Sequence, residues 1–117
     1  MGKIPMGADT FYENVPMFMA VIGDLSNYEF ERDKNLIYID GSLFVMSFLL
    51  ALETLGLSAC TINWPDIESK EKELSSLLGL KPYERCVMFI AVGYADPNGF
   101  IPYSEKKLPQ EIITYIP

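Results

Sequence analysis

The sequence predicts an α+β fold, a small β-sheet flanked by helices, and two observations support this prediction. Three apolar runs of strand length alternate with two segments of helical length. The first helical segment is apolar on nearly every face, whereas the second is amphipathic. Because 50% of the residues are hydrophobic and 21% are charged, we expect residues 1–117 to form a single globular domain.

The first strand is predicted at residues 15–23. This run is hydrophobic on both faces, which favours an interior position in the sheet. Pro16 must then lie at the start of the strand, because proline has no backbone N–H to donate. Residues 1–14 show no periodicity and predict a loop or an extended arm, and the polar residues 24–35 predict a loop with room for one short helical turn.

A helix of about four turns is predicted between Asp40, as its N-terminal cap, and Gly56, whose left-handed conformation would end it. Only Ser47, Glu53 and Thr54 interrupt its apolar surface. Such a helix is either wrapped by its own domain or shared with another subunit, and a small chain has little material to wrap it. A membrane crossing is disfavoured, because the apolar run is shorter than the roughly 20 residues required.

The second strand is predicted at residues 58–63, where Trp64-Pro65 stops it. Asp66 is predicted to cap a second helix over residues 67–78, and Gly79 to end it. The run of alternating acidic and basic residues on this helix indicates a solvated face.

The third strand is predicted at residues 86–93, after a turn at residues 81–85, and it is again apolar on both faces. Asp96-Pro97-Asn98-Gly99 predicts a tight turn. The tail ends in residues 111–116, an alternating, strand-capable stretch that can add to a sheet edge of its own chain or of a partner.

The chain is acidic, with a net charge of -7 and only 9 lysines and arginines. Binding to nucleic acid requires clustered cations, so we expect no nucleic-acid partner and interpret the charge as a contribution to solubility. No basic segment precedes an apolar one at the N-terminus, so we expect no signal peptide, no membrane association and a cytoplasmic location.

The chain has two cysteines, Cys60 and Cys86, and no histidine. This composition excludes the usual zinc sites and both Ser-His-Asp and Cys-His catalysis, so no metal ligand and no catalytic side chain is proposed. Both cysteines lie in apolar runs, where a small buried side chain is the common outcome and a redox pair the less common one.

An ordered set of short segments resembles the C-terminal half of the FMN-dependent nitroreductase family, from about Val15 to the end of the chain. The helices end in Leu-Gly-Leu, one strand ends in Gly-Tyr, and a basic, proline-containing tail follows. The segments are Tyr38-Ile-Asp-Gly-Ser-Leu43, Leu49-Leu-Ala51, Thr54-Leu-Gly-Leu-Ser-Ala-Cys-Thr-Ile62, Leu77-Leu-Gly-Leu80, Phe89-Ile-Ala-Val-Gly-Tyr94 and Lys107-Leu-Pro109.

The resemblance implies a nitroreductase-like α+β fold, in a partial or minimal version completed by formation of a homodimer through the long apolar helix. It implies FMN as cofactor, NAD(P)H as hydride donor, and nitroaromatics, quinones or similar small molecules as electron acceptors. It places the backbone of Ile62, Asn63 and Trp64 beside the flavin ring, where amide donors stabilise the charge of a reduced flavin. It places Lys106 and Lys107 near the FMN phosphate.

Family members also have an arginine-rich stretch before the segment that this chain resembles. The present sequence has two arginines, Arg32 and Arg85, and neither lies in such a motif. From these residues we expect the chain alone to bind FMN weakly, since an acidic protein offers the phosphate few cations.

Most of the residues singled out have a second interpretation. Trp64 either caps the core or stacks on a planar ligand, and Asn63 can simply close a turn. Lys106 and Lys107 are more often solvated tail charges than phosphate ligands. Glu53 either lies on the surface at the helix end or pairs across an interface.

Two classes of function remain open from the sequence. In the first, the chain is a flavoprotein oxidoreductase in which FMN performs the chemistry and the protein positions it. In the second, it is a flavin-free relative that acts in dimerisation or partner binding through its apolar helix.

Overall fold

A computed structural model of the chain describes residues 11–116. Three strands form an antiparallel sheet in the order β1-β3-β2, so the last strand in the sequence is the central one. The elements are β1 Met17–Asp24, α1 Leu36–Thr54, β2 Ser58–Asn63, α2 Glu68–Leu78, β3 Glu84–Gly93 and α3 Pro109–Ile112.

The helices α1 and α2 cover opposite faces of this sheet. Val45 and Leu52 of α1 pack with Ile90 and Val92 of β3 on one face. On the opposite face, Leu74 of α2 is fully buried in a second cluster of apolar side chains. The α+β prediction, with helices flanking a small sheet, is therefore confirmed.

The first strand lies at an edge of the sheet, so the predicted interior position is wrong. Both faces of β1 are apolar for a different reason. Met19 and Val21 pack on the α1 side, whereas Phe18 and Ala20 pack on the α2 side. Burial on two faces therefore does not require a strand neighbour on each side.

A β-bulge interrupts the pairing of β1 with β3. Val21 is opposite Met88 and Ile22 is opposite Cys86, so Val87 is the extra residue. Val87 packs against α1 at Gly41, where an added Cβ would lie 3.1 Å from one Val87 methyl carbon and 3.2 Å from the other. The glycine therefore allows the helix to approach the bulge closely.

The helix α1 begins at Leu36, so the prediction that Asp40 caps it is wrong. Ile37, in the first turn, is buried close to Gly23, where an added Cβ would lie 3.0 Å from the Ile37 Cβ. This packing extends the helix by a turn before Asp40. The polar loop before the helix contains two short 3-10 turns, Leu25–Asn27 and Glu31–Asp33.

The other end of α1 agrees with the prediction. Gly56 has a φ of 71° and follows the C-terminal residue Leu55. This left-handed conformation disfavours a side chain, which explains why a glycine stands there.

Most of the α1 surface is uncovered. Its buried residues are Ile37, Val45 and Leu52, which face the sheet. Leu43 is 66% exposed and Phe44 is 60% exposed. Together with the preceding turn, α1 is long and apolar enough to cross a membrane by length and composition alone, a test that core helices of soluble proteins also pass. The rest of the described chain therefore does not wrap this helix, and its burial between two subunits stays a prediction.

The helix α2 begins at Glu68 after Ile67, which makes no side-chain capping bond, so the predicted Asp66 cap is wrong. The Ile67 carbonyl instead accepts the first backbone hydrogen bonds, from Lys70 and Glu71. Gly79 ends the helix at a φ of 67°, as predicted. The side chains of Lys72 and Glu68 form an ion pair on the solvated face.

After β3, every residue from Tyr94 to Ile116 is exposed. The predicted turn is confirmed, because the Gly99 N–H donates to the Asp96 carbonyl. The predicted strand at residues 111–116 is absent from the single chain. α3 occupies Pro109–Ile112, and residues 113–116 have no regular structure. A strand requires a neighbour for its backbone groups, and a fully exposed segment has none beside it.

Most of the predicted N-terminal arm, residues 1–10, lies outside the described residues. In the described part of that segment, Tyr12–Asn14 form a 3-10 turn.

Candidate functional site

Two of the predicted flavin-contact residues, Ile62 and Trp64, lie in the core at the end of β2. Both side chains are 7% exposed and belong to one cluster with Phe89 and Leu74. The structure therefore brings these two residues together, with their side chains turned into the protein.

The Trp64 indole is held from two directions. Its ring centroid lies 5.5 Å from that of Phe89, with the ring planes tilted by 54°. Its Nε1–H donates a hydrogen bond to the Glu71 carboxylate on α2. In this chain the indole ring is therefore packed in the core, as in the first of the two interpretations of Trp64.

Asn63 is exposed at the end of the strand, where it is opposite Met88 of β3. The chain then turns, and the Ile67 N–H donates to the Pro65 carbonyl. The strand end is therefore fixed by a buried tryptophan on one side and a proline-containing turn on the other. A polar ligand can approach Asn63 from solvent.

Lys106 and Lys107 lie in the exposed tail, and the Lys106 ammonium donates to the Ser104 hydroxyl at 2.9 Å. The tail leaves the sheet at Gly93, which is opposite Ser58. Because Asn63 is at the other end of β2, roughly 17 Å of strand separates it from the start of the tail. Both lysines are exposed to solvent in the single chain.

A groove between β1 and the start of α1 was not foreseen from the sequence. Its volume is about 440 Å³, and its walls are mainly apolar, with Phe44, Phe48 and Met19 among them. The Tyr28 hydroxyl donates to the Asp40 carboxylate at 2.7 Å, and this hydrogen bond raises the pKa of Tyr28. The Asp40 side chain, which the sequence predicts as a helix cap, accepts this hydrogen bond instead. Local sequence patterns do not reveal a contact between residues 12 positions apart.

The two cysteines have different environments, so the expectation that both are buried is half wrong. Cys86 is 2% exposed, and burial, with the Glu71 carboxylate nearby, raises the pKa of its thiol to about 12. Cys60 is exposed on β2, and both thiols are free. A redox pair is therefore not formed. Among the described residues, no group of acidic or cysteine side chains is arranged to hold a metal ion.

Residues 4–94 match the sequence model of the nitroreductase family. The chain belongs to the nitroreductase family. Proteins of this family are soluble, generally bind a flavin, use NAD(P)H and are generally dimeric. None of the curated proteins compared with the chain matches it in sequence.

Solved nitroreductase-family structures share the fold. An FMN-dependent nitroreductase from Clostridium difficile R20291 superimposes with a TM-score of 0.74 at 18% identity, over 97% of this chain and 65% of that protein. A nitroreductase-family protein from Streptococcus pneumoniae TIGR4 superimposes with a TM-score of 0.73 at 17% identity, over 97% of this chain and 72% of that protein. At these identities the likeness concerns the fold.

A third structure is described as a putative NADH dehydrogenase/NAD(P)H nitroreductase from Parabacteroides distasonis ATCC 8503. It superimposes with a TM-score of 0.73 at 21% identity, over 97% of this chain and 62% of that protein. The present nitroreductase-family chain thus spans 65% and 62% of the lengths of the Clostridium and Parabacteroides proteins.

The family match includes only some of the predicted site residues. Ile62, Asn63 and Trp64 lie within residues 4–94, whereas Lys106 and Lys107 lie beyond them. The end of β2 is fixed by buried neighbours and lies next to solvent at Asn63, an arrangement that can present backbone amide groups to a planar polar ligand. The phosphate portion requires cations, which the exposed Lys106 and Lys107 can supply.

Proposed function

We propose that the chain is a subunit of a nitroreductase-type oxidoreductase that binds FMN at the boundary between two copies. When bound, FMN would supply hydride transfer from NAD(P)H to a nitroaromatic, quinone or similar acceptor. The observation that supports this proposal most is the anchored end of β2, within the family match, where Trp64 is fixed by Phe89 and Glu71.

In this proposal the residues at the end of β2 position the flavin ring. Asn63 is exposed and its neighbours Ile62 and Trp64 are buried, so the backbone is held while one side remains open to a ligand. A donor on a rigid strand loses little conformational entropy when it binds, which favours precise orientation.

Lys106 and Lys107 are proposed to hold the FMN phosphate. Both are exposed, so an anion can reach their ammonium groups from solvent. Each charge-assisted contact contributes roughly 1.5 to 3 kcal/mol if it is shielded from water.

The proposed homodimer follows from the uncovered face of α1. Leu43, Phe44 and Leu50 are all more than half exposed, and a contiguous apolar face of this kind is typical of a protein interface. The same uncovered face supports the alternative function, a flavin-free dimerisation or partner-binding module, because such a module would also bind its partner through α1.

A titration of FMN and riboflavin into the purified chain tests the proposal. Lys106→Ala with Lys107→Ala should weaken FMN binding at least tenfold and leave riboflavin binding, which involves no phosphate, nearly unchanged. The matched control is Lys34→Ala with Lys72→Ala, which removes two exposed lysines held in surface ion pairs elsewhere. Equal losses for the two ligands would contradict the phosphate assignment, and no binding of either ligand would favour the flavin-free alternative.

A further inference from the structure

The groove between β1 and the start of α1, called here the Tyr28–Asp40 groove, has the composition of a small-molecule site. Such sites are concave and mostly apolar, with a few polar groups that orient the ligand, and their volumes are roughly 300 to 1,000 Å³. The volume of this groove is about 440 Å³. Among the described residues that line it, only Tyr28 and Asp40 have polar side chains, and only Asp40 is charged.

The Tyr28 hydroxyl holds the Asp40 carboxylate in position. It donates to the Asp40 Oδ2 atom at 2.7 Å, and Tyr28 itself is half-buried. Within the described part of the chain, Asp40 forms no ion pair with a lysine or arginine, and its Oδ1 atom accepts no hydrogen bond. The carboxylate therefore keeps one oxygen and an unpaired negative charge beside an apolar surface.

Two aromatic rings continue the groove along α1 from Asp40. Phe44 and Phe48 are stacked, with ring centroids 6.0 Å apart and an angle of 16° between the ring planes. Residues four apart share one side of a helix, so the carboxylate and the two rings form a row. Positions 40 and 44 are separated by about 6 Å along the helix axis. A short spacer between a cationic group and an apolar ring suits this separation.

The row of Asp40, Phe44 and Phe48 is distinct from the most exposed side of α1. Leu43, Met46 and Leu50 share that side, and all three are more than half exposed. The two rows are centred roughly 130° apart around the helix. A dimer contact through the Leu43 side therefore does not have to cover the groove.

The charge of the groove selects the class of ligand. Asp40 is the only formal charge on its walls, and the chain as a whole has a net charge of -7. Cations are attracted to such a surface at long range and anions are repelled. A single carboxylate offers too few ligands for a metal ion, and no group of acidic or cysteine side chains in the described residues is arranged to hold one. An organic cation fits both the charge and the apolar walls.

We propose that the Tyr28–Asp40 groove binds a small primary amine with an aromatic ring, its ammonium group on Asp40 and its ring along Phe44 and Phe48. The ammonium group would donate to the Asp40 Oδ1 atom, while the Tyr28 hydroxyl stays bonded to Oδ2. The ligand ring would pack on the phenylalanines in an offset or edge-to-face arrangement. This site is separate from Asn63 and the tail lysines, so the proposal depends on neither flavin binding nor dimer formation.

Three probes of similar shape and different charge test this assignment in the full 117-residue chain. They are 2-phenylethylamine, the neutral 2-phenylethanol and the anionic phenylacetate, each titrated while the backbone amide signals are followed by NMR. The amine should shift the signals of Gly23 and Gly41, which line the groove, and bind at least tenfold more tightly than the alcohol. Phenylacetate should bind more weakly than the alcohol.

Asp40→Asn separates the charged contact from the apolar one. It should weaken binding of the amine at least tenfold and change binding of the alcohol less than twofold, which also shows that the groove is intact. The matched control is Asp66→Asn, which removes one exposed negative charge outside the groove and should leave both affinities unchanged. Phe44→Ala should weaken the amine and the alcohol by a similar factor, because it removes part of the wall that both probes contact.

Four results would overturn the proposal. The first is equal affinity for the amine and the alcohol, and the second is an equal loss of amine binding in Asp40→Asn and Asp66→Asn. The third is the absence of shifts at the groove with any probe. The fourth is a change of the groove signals on dilution of the protein alone, without an effect of the amine, which would show that a second copy occupies the groove. Binding of the amine to flavin-free protein would support the proposal, whatever the outcome for FMN.

Discussion

Trp64 lies against Phe89 with the ring centroids 5.5 Å apart, and its indole N–H is bonded to Glu71 of α2. This relationship joins three elements, because Trp64 follows β2, Phe89 is in the centre of β3, and Glu71 is on the helix above them. It fixes the end of β2 from the inside, which makes the neighbouring Asn63 a rigid position on the surface.

Replacement of Trp64 by alanine should destabilise the fold by roughly 3 to 5 kcal/mol, because it leaves a large cavity in the core. The measurement is urea denaturation at a fixed protein concentration. Tyr115→Ala, at an aromatic residue that is 85% exposed, is the control and should have a much smaller effect on chain unfolding. A loss below about 1 kcal/mol in the Trp64 variant would show that the indole is not a core residue.

The sequence predicts the helices and strands themselves better than it predicts which elements lie beside them in the fold. The apolar runs predict three strands because burial on two faces leaves a local signature. The edge position of β1 leaves no such signature, since its apolar faces are covered by helices that are distant in sequence. The start of α1 was missed for a similar reason: Asp40 is typical of a helix cap, but Ile37 gains burial against Gly23 and the helix begins earlier.

Only part of the candidate site could be predicted from the sequence. The resemblance indicates Ile62, Asn63 and Trp64, and the structure shows which of their side chains point inward. The groove at Tyr28 and Asp40 depends on a contact between a loop and a helix, for which no periodic pattern exists. Cys60 and Cys86 both lie in apolar runs, so the sequence does not indicate that one of the two thiols is exposed. The exposure of Cys60 depends on which elements cover β2.

The contact between Gly41 and Val87 should make Gly41→Ala destabilising, although alanine is normally favoured over glycine in a helix. The new methyl group would lie 3.1 Å from a Val87 methyl carbon, and overpacking of this kind costs about 1 to 3 kcal/mol. Urea denaturation of Gly41→Ala, of Val87→Ala and of the double variant gives the coupling free energy between the two positions. A cost for Gly41→Ala that is the same in both backgrounds would contradict the role of the bulge.

The two thiols should react at very different rates. Cys60 is exposed, whereas the Cys86 thiol is buried and its pKa is raised to about 12, so almost none is ionised at neutral pH. A thiol reagent should modify one cysteine per native chain rapidly and the second only after unfolding. Rapid modification of both in the native protein would contradict the burial of Cys86.

The raised pKa of the Cys86 thiol predicts that the stability of the fold depends on pH. The folded-state pKa of Cys86 lies above its ordinary value of 9.0, so the unfolded chain loses this proton first. The stabilising contribution is complete below about pH 9 and is lost as the pH rises toward 12. In Cys86→Ala the decline in stability over this window should be shallower, and identical slopes in the two proteins would contradict the shift.

Leu50→Arg should weaken the proposed dimer by placing an unpaired charge on the uncovered face of α1, at a cost of several kcal/mol in the interface. Leu50 is a sharper choice than its neighbour Leu49, which is half-buried against the core of its own chain. Ser76→Arg, at an exposed residue of α2 on the opposite face of the sheet, is the control for the added positive charge. Sedimentation of both variants and the unmodified chain gives the dissociation constants, and an unchanged constant for Leu50→Arg would place the interface elsewhere.

The most direct test of the proposed function is to measure both the flavin content and the molecular mass in solution of the purified 117-residue chain. We predict a dimer that binds one FMN per chain, with flavin absorbance near about 450 nm that bleaches when NAD(P)H is added and returns with an electron acceptor. A protein that takes up no FMN even when FMN is added in large excess would contradict the assignment as an oxidoreductase, whatever its oligomeric state.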